Sequence, residues 1–423
     1  MVGWILILAG LQMPTDTVTV DVATALARGL EVAPALEISR YRVEAASRRS
    51  VQASPWANPV LAVSVENLGQ SETFTGIPGA EGLEGQAVLT TPLPFGKERS
   101  GAIQAARAEE RIALASADAT DLRVRAELLS SIGAVLRDQV LVTSARAEAE
   151  SLAEIAGALS LQAAAGRAAE GDAARAHLAE GMAWTRLARR EGVSALGSAD
   201  LARRLGYAPR TELRLEAPVC LTPSMGEPLP VVSDNGEGSL PPDLRVAEAR
   251  VDAARGATEV ARGIRMPDFA PQVGVRRSGG NTGLFVGLAT QLPFFDRGGE
   301  RVGASIADEN SAVAARRDVE ERWGAAQAGA SAVLASLERA GAHFDQEWVQ
   351  SLAWTVSAAE ARFRLGEGTL TELLDSRRAR LQALDDYHVW QAEWWAARIE
   401  VERLEGRPVP ASAICTDPFT EAR

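Results

Sequence analysis

The stretch TQLPFFDRGGERVGA (290–304) repeats an earlier one, TPLPFGKERSGA (91–102). In both, a Leu-Pro-Phe turn separates an apolar segment from the start of a long helical pattern. The echo extends both ways. MPDFAPQVGV (266–275) answers NPVLAVSV (58–65), and PDLRVAEARVDAA from Pro242 answers PALEISRYRVEAA from Pro34, each at an offset of 208 residues. Further on, Gly166, Asp172 and Gly206 return as Gly366, Glu372 and Gly406, now at an offset of 200. The chain is a tandem duplication. The copies differ mainly in 66–85, which is longer in the first. The expected organisation is a signal-like segment over 1–19, a first repeat over 20–207, a Pro-rich linker over 208–242, a second repeat over 243–407 and a tail over 408–423.

Each copy follows one order. A helix of moderate length comes first, over 22–54 and over 244–265. Two β segments follow, 60–67 and 85–93 in the first copy, 271–277 and 283–292 in the second. Leu61, Val63 and Val65 alternate with Ala62 and Ser64. Leu284, Val286 and Leu288 alternate with Phe285, Gly287 and Ala289. Period two is the signal of a strand with two unlike faces. Each strand pair leads into a proline-free helical stretch, 99–165 and 301–365, about 100 Å long at 1.5 Å per residue. After a glycine break a return helix follows, 172–205 and 369–404. Leu370, Leu374, Leu381, Leu384, His388, Trp395 and Ile399 keep the spacing of a coiled-coil seam. His388 reads as a packed or hydrogen-bonded histidine on that seam.

Composition narrows the function. The chain is 46% hydrophobic and 5% aromatic, rich in alanine, and so expected to pack as close helices. A net charge of -12 argues against nucleic acid as a partner. The positive charge is nearly all arginine, with Lys97 the single lysine. Cys220 and Cys415 lie far apart, and whether they pair stays open. His177, His343 and His388 are scattered, so no metal site is expected, and no cofactor. No nucleophile motif or phosphate loop marks an enzyme. The apolar run over 4–11 is too short to cross a bilayer and resembles the core of a secretory signal, without the usual basic residues ahead of it.

Helices this long need neighbours along their whole length. Four strands cannot close a barrel, and open sheet edges cannot sit in lipid. Bacterial outer-membrane barrels have eight strands or more, so membrane strands here would demand several chains.

The order helix, strand pair, long helix, glycine break, return helix, made twice, resembles the TolC-like outer-membrane efflux factors. The resemblance rests on Asn58-Pro59, Leu93-Pro94-Phe95-Gly96, the run from Leu292 to Gly298, Phe363-Arg364-Leu365-Gly366 and Leu373-Leu374-Asp375. It covers about residues 20–406, and the Leu-Pro-Phe-Phe-Asp-Arg-Gly form looks most like the heavy-metal-efflux branch. It implies a mainly α fold with a membrane β part: a homotrimer with a twelve-stranded barrel in the outer membrane and an α-helical barrel reaching into the periplasm. It also implies two partners, a periplasmic adaptor and an inner-membrane transporter of the resistance-nodulation-division type. The protein would be the passive exit duct. Leu61, Val63, Val65, Leu284, Val286 and Leu288 would face lipid. Gly166, Gly171, Gly366 and Gly368 would form hairpin tips that dock on the adaptor, with Gly366 and Gly368 supplying left-handed backbone. Glu372, Asp375 and Asp172 would line an acidic ring at the periplasmic entrance. Thr369 and Glu372 also fit a capping box. The family often has tyrosine where Phe363 stands and an arginine or other polar group near Gly368, so this sequence departs from the family at the groups on which a closing lock would be built. The rival reading is a soluble periplasmic coiled-coil scaffold, which has no need of two matched apolar strand pairs.

Overall fold

A computed structural model describes residues 17–66, 84–93, 97–208, 211–216, 240–265, 268–278, 281–290, 295 and 297–409. The signal-like run, both cysteines, most of the linker and the Pro-Phe turns after the strand pairs lie outside the described residues. The chain forms two compact units. One takes Glu37–Ala119 and Leu240–Arg322; the other takes the remaining described residues.

In the first of these units, a four-stranded antiparallel sheet is formed by β2 (Val60–Glu66), β3 (Glu84–Thr90), β5 (Phe269–Ser278) and β6 (Asn281–Thr290), in the order β2-β3-β5-β6. The same unit holds most of α2 (Pro34–Gln52), α5 (Pro242–Gly263) and the first part of α3 (Glu98–Ala164). α5 lies directly on the opening turns of α3. A side chain at Gly263 would meet the Glu98 backbone nitrogen at 2.2 Å, and one at Gly256 the Ala105 nitrogen at 2.6 Å, so only glycine permits this approach. Ion pairs flank the contact: Lys97 with Glu259 at 2.6 Å and Arg245 with Asp118 at 2.9 Å.

The other unit holds β1 (Thr17–Asp21), α1 (Val22–Val32), most of α3, α4 (Glu170–Arg204), β4 (Glu212–Glu216), the end of α6 (Gly299–Gly341), α7 (Gln346–Leu365) and α8 (Leu370–Leu404). Its main core joins Leu128, Leu129, Ile132, Val135 and Leu136 of α3 to Leu201 and Leu205 at the end of α4 and to Trp394, Trp395 and Ile399 of α8.

Three details differ from the sequence expectation. The first moderate helix is two helices, because Pro34 follows Ala33, which stands in extended backbone with ψ 112° and ends α1. The second long helix is interrupted at 342–345, where α6 ends and Asp345 caps α7 by accepting from the Trp348 amide at 2.9 Å. And β1 and β4 form an unforeseen parallel pair, Val18 opposite Leu213 and Val20 opposite Leu215. Gln139 and Ser198 hold β4 through the Leu213 carbonyl, at 3.0 and 3.2 Å. The alternation in TVTVD and ELRLE is the signal that marks them, with Val20, Leu213 and Leu215 buried.

Candidate functional site: an apolar sheet face and two hairpin tips

Register puts the alternating residues on one face of the sheet. Leu61, Leu89, Val273 and Val286 form a row across all four strands. Val63, Ala87, Val275 and Leu284 form the next. The opposite face carries Ser64, Gln86, Gln272 and Arg276, with Thr90 bonded to Gln272 at 3.3 Å. Leu61, Val63, Val65, Leu284, Val286 and Leu288 are 52–81% exposed, a contiguous apolar surface on a single chain. β2 and β6 each have one neighbour among the described residues, so both edges are open.

The tips are built by repetition. Gly166 (φ 69°) and Gly366 (φ 77°) take the left-handed conformation that ends a helix. In the first, Gly166 donates to the Ala163 carbonyl at 2.9 Å and Arg167 to Gln162 at 2.8 Å. In the second, Gly366 donates to Phe363 at 3.1 Å and Glu367 to Arg362 at 2.9 Å. Gly368 has no left-handed backbone, contrary to expectation; it is small because a Cβ there would crowd the Arg362 Cβ at 3.1 Å. Gly171 lies in the first turn of α4 with open space around it. Below the tips the two hairpins share one apolar cluster: Ala156 and Leu159 of α3, Ala176 of α4, Phe363 of α7 and Leu370 of α8.

The carboxylates are engaged locally. Glu372 completes the capping box: its amide donates to Thr369 Oγ1 and its carboxylate accepts from the Thr369 amide, both at 3.2 Å. Arg362 stands 3.8 Å away. Asp375 accepts from Arg378 at 3.1 Å, and Asp172 pairs with Arg175 at 3.6 Å. All three carboxylates face solvent, each beside an arginine of the same chain.

Sequence reading missed two polar ties between the hairpins. Arg377 of α8, 11% exposed at its side chain, donates to Ser151 Oγ of α3 at 2.6 Å, faces Glu148 at 3.6 Å and pairs with Glu360 of α7. Arg190 of α4 pairs with Asp385 of α8 and donates to the Leu141 carbonyl at 2.9 Å. Nearby, burial holds the His388 imidazole below its ordinary pKa, against a hydrogen bond to Gln391. Charged residues set one turn from a seam were the only hint.

This architecture has known counterparts. Residues 239–407 match the family model of the outer membrane efflux proteins. That match covers the second repeat. The chain is 26% identical to the nickel-cobalt-cadmium resistance protein NccC of Alcaligenes xylosoxydans xylosoxydans, over 66% of this chain and 62% of that protein. It is 24% identical to the cobalt-zinc-cadmium resistance protein CzcC of Cupriavidus metallidurans, over 92% of this chain and 90% of that one. The fold is similar to the CmeC outer membrane channel of Campylobacter jejuni, with a TM-score of 0.77, 14% identity and coverage of 92% and 86%. The chain is mainly helical, and its fold is similar to that of this solved channel.

Proposed function

We propose that this chain is the outer-membrane exit duct of a tripartite efflux system. One observation carries the reading: a four-stranded sheet whose apolar face is exposed and whose two edges are open among the described residues. In lipid such edges must be paired, and three copies joined edge to edge make a closed barrel of twelve strands. The exposed face then meets the hydrocarbon, and the face with Gln86, Gln272 and Arg276 lines the interior. A soluble scaffold has no use for this surface. The duct is passive; an inner-membrane transporter drives substrate, and a periplasmic adaptor docks on the tips at Gly166 and Gly366. The metal-resistance names of the two relatives support divalent cations of the nickel, cobalt, zinc and cadmium class as substrates.

The test of the barrel is Val286→Arg. A charge near the midplane costs about 2–4 kcal/mol per site. Heat-modifiable trimers in the outer-membrane fraction should be strongly depleted; normal amounts would overturn the lipid-facing assignment. The test of the entrance is Glu372→Gln with Asp375→Asn in a planar bilayer. A ring of carboxylates, three of each, attracts cations, so cation selectivity and multivalent-cation block should weaken. Unchanged conductance properties would leave Glu372 with its capping role alone.

A further inference from the structure

The first repeat passes from helix to sheet over 53–59, between α2 and β2. A cavity of about 560 Å³ lies between this link and the first turns of α3, lined by Pro55, Trp56, Asn58, Glu98 and Arg99 among others. Its volume is that of a small-molecule site. All of these residues belong to the same compact unit as the sheet. The Arg99 guanidinium lies 4.7 Å from the centroid of the Trp56 ring and donates to the Ser54 carbonyl. Its Nε is closed off from water and has no hydrogen-bond partner. Among the described residues no carboxylate pairs with Arg99, and no cation pairs with Glu98 beside it. Burial, and then the nearby Asp268 carboxylate, hold the Glu98 carboxyl above its ordinary pKa. Lys97, one residue earlier, is by contrast paired with Glu259 at 2.6 Å. An arginine without a carboxylate and a glutamate without a cation share one cavity and do not pair with each other.

We propose that this cavity holds the headgroup of a phospholipid of the phosphatidylethanolamine type, its phosphate on Arg99 and its ammonium beside Glu98. Position argues for a lipid. The pairs Glu66–Glu84 and Ser278–Asn281 close the two hairpins at one end of the sheet. The cavity lies at the other end, with Asn58 two residues before β2 and Asp268 immediately before β5. The inference rests on the barrel reading, under which that end is the periplasmic border of the hydrocarbon. Trp56, 57% exposed, is a residue type that favours such a border. Chemistry argues for the headgroup. A phosphate supplies the anion that Arg99 lacks and suits the guanidinium fork. A primary ammonium supplies the cation that Glu98 lacks, offsets its repulsion with Asp268 and donates hydrogen bonds to the carboxylate. A purely anionic lipid satisfies Arg99 alone and brings a third negative charge toward Glu98 and Asp268. The second repeat keeps the Glu-Arg step at Glu300-Arg301 but has Ile264 where Trp56 stands, so it lacks the aromatic wall.

The test uses the full chain, purified in detergent from the outer-membrane fraction and stripped of lipid. Native mass spectrometry then reads retention of added phosphatidylethanolamine or phosphatidylglycerol. The wild type should retain the first in preference to the second. Glu98→Gln, which keeps the shape, should abolish that preference. Arg99→Gln should weaken retention of both by about tenfold, the loss of one charge-assisted contact, and Arg301→Gln should behave as the wild type. A wild type without preference, or a preference that survives Glu98→Gln, would overturn the site, and either can be read even if Arg99→Gln yields no folded protein. An equal loss in Arg301→Gln would assign retention to surface charge and overturn it too. Soluble phosphoethanolamine should not displace the lipid; displacement at equal concentration would make the ligand a free phosphate amine. Wild-type trimers present in the outer membrane but indifferent to lipid would overturn the site and spare the barrel. A wild type without outer-membrane trimers would overturn the barrel itself.

Discussion

The two repeats began as one sequence and solve the same packing problem differently. In the first, α3 runs unbroken for 67 residues, and its buried side chains through the core are aliphatic: Leu128, Leu129, Ile132, Val135 and Leu136. In the second, α6 and α7 cover the same stretch with a break at 342–345. At that break Phe344 packs against Trp348, Tyr387 and Trp390, with ring centroids 4.9–5.1 Å away. Large rings do not fit the close, regular spacing that aliphatic seams allow. The backbone turns aside, lets Phe344 enter the cluster, and restarts under the Asp345 cap. The position that carries Trp390 in α8 carries Arg190 in α4, so one repeat is joined by stacking and the other by charge.

The largest test of that contrast is Trp390→Ala. It removes the centre of the ring cluster and the bond from its indole to the Leu337 carbonyl at 2.8 Å. About 3–5 kcal/mol of stability should be lost. Arg190→Ala, at the matching position, gives up charge-assisted bonds and should cost about 2 kcal/mol. Thermal unfolding followed by circular dichroism in detergent reads both. If the arginine proves as costly as the tryptophan, stacking is not what sets the second repeat apart.

Smaller effects sharpen the comparison at the helix ends. Gly166→Ala and Gly366→Ala force a side chain into left-handed backbone with open space around it. Each should cost about 1–2 kcal/mol, and the two costs should agree, because the caps are the same. Unequal costs would mean the tips are not equivalent. Asp345→Ala removes a cap that α3 never needed and should cost about 1 kcal/mol. No loss would show that the ring cluster alone holds the break.

The smallest effect is on pH. His388 is buried beside Asp385 and Arg190, and its counterpart in α4 is Ala188. Its folded pKa is depressed, so the fold prefers it neutral. Its contribution is complete above the unfolded value of about 6.5 and is lost as pH falls below that. In His388→Gln the decline in melting temperature on acidification from about pH 6.5 should be shallower. An identical decline would assign the acid sensitivity to other groups.

Much of this molecule is written locally. Period-two alternation marked β2 and β6, and the apolar side of the sheet follows from which residues alternate. The Gly166, Gly206, Gly366 and Gly406 helix ends, and the Thr369–Glu372 capping box, follow from a few adjacent residues, because a cap is satisfied within one turn. The 200-residue offset exposed the duplication without any contact being known.

What only the tertiary structure decided involves residues far apart in the chain. The pairing of Thr17–Asp21 with Glu212–Glu216 joins segments that local pattern treats as leader and linker. The break before α7 depends on rings supplied by α8, which periodicity within one helix cannot register. Arg377 sits one turn from a seam and looks solvent-facing until Ser151, Glu148 and Glu360 surround it. Most of all, heptad spacing marks a seam on α8, but whether that face is covered depends on which helices stand beside it. Burial is a property of neighbours, and the neighbours here are set by the fold.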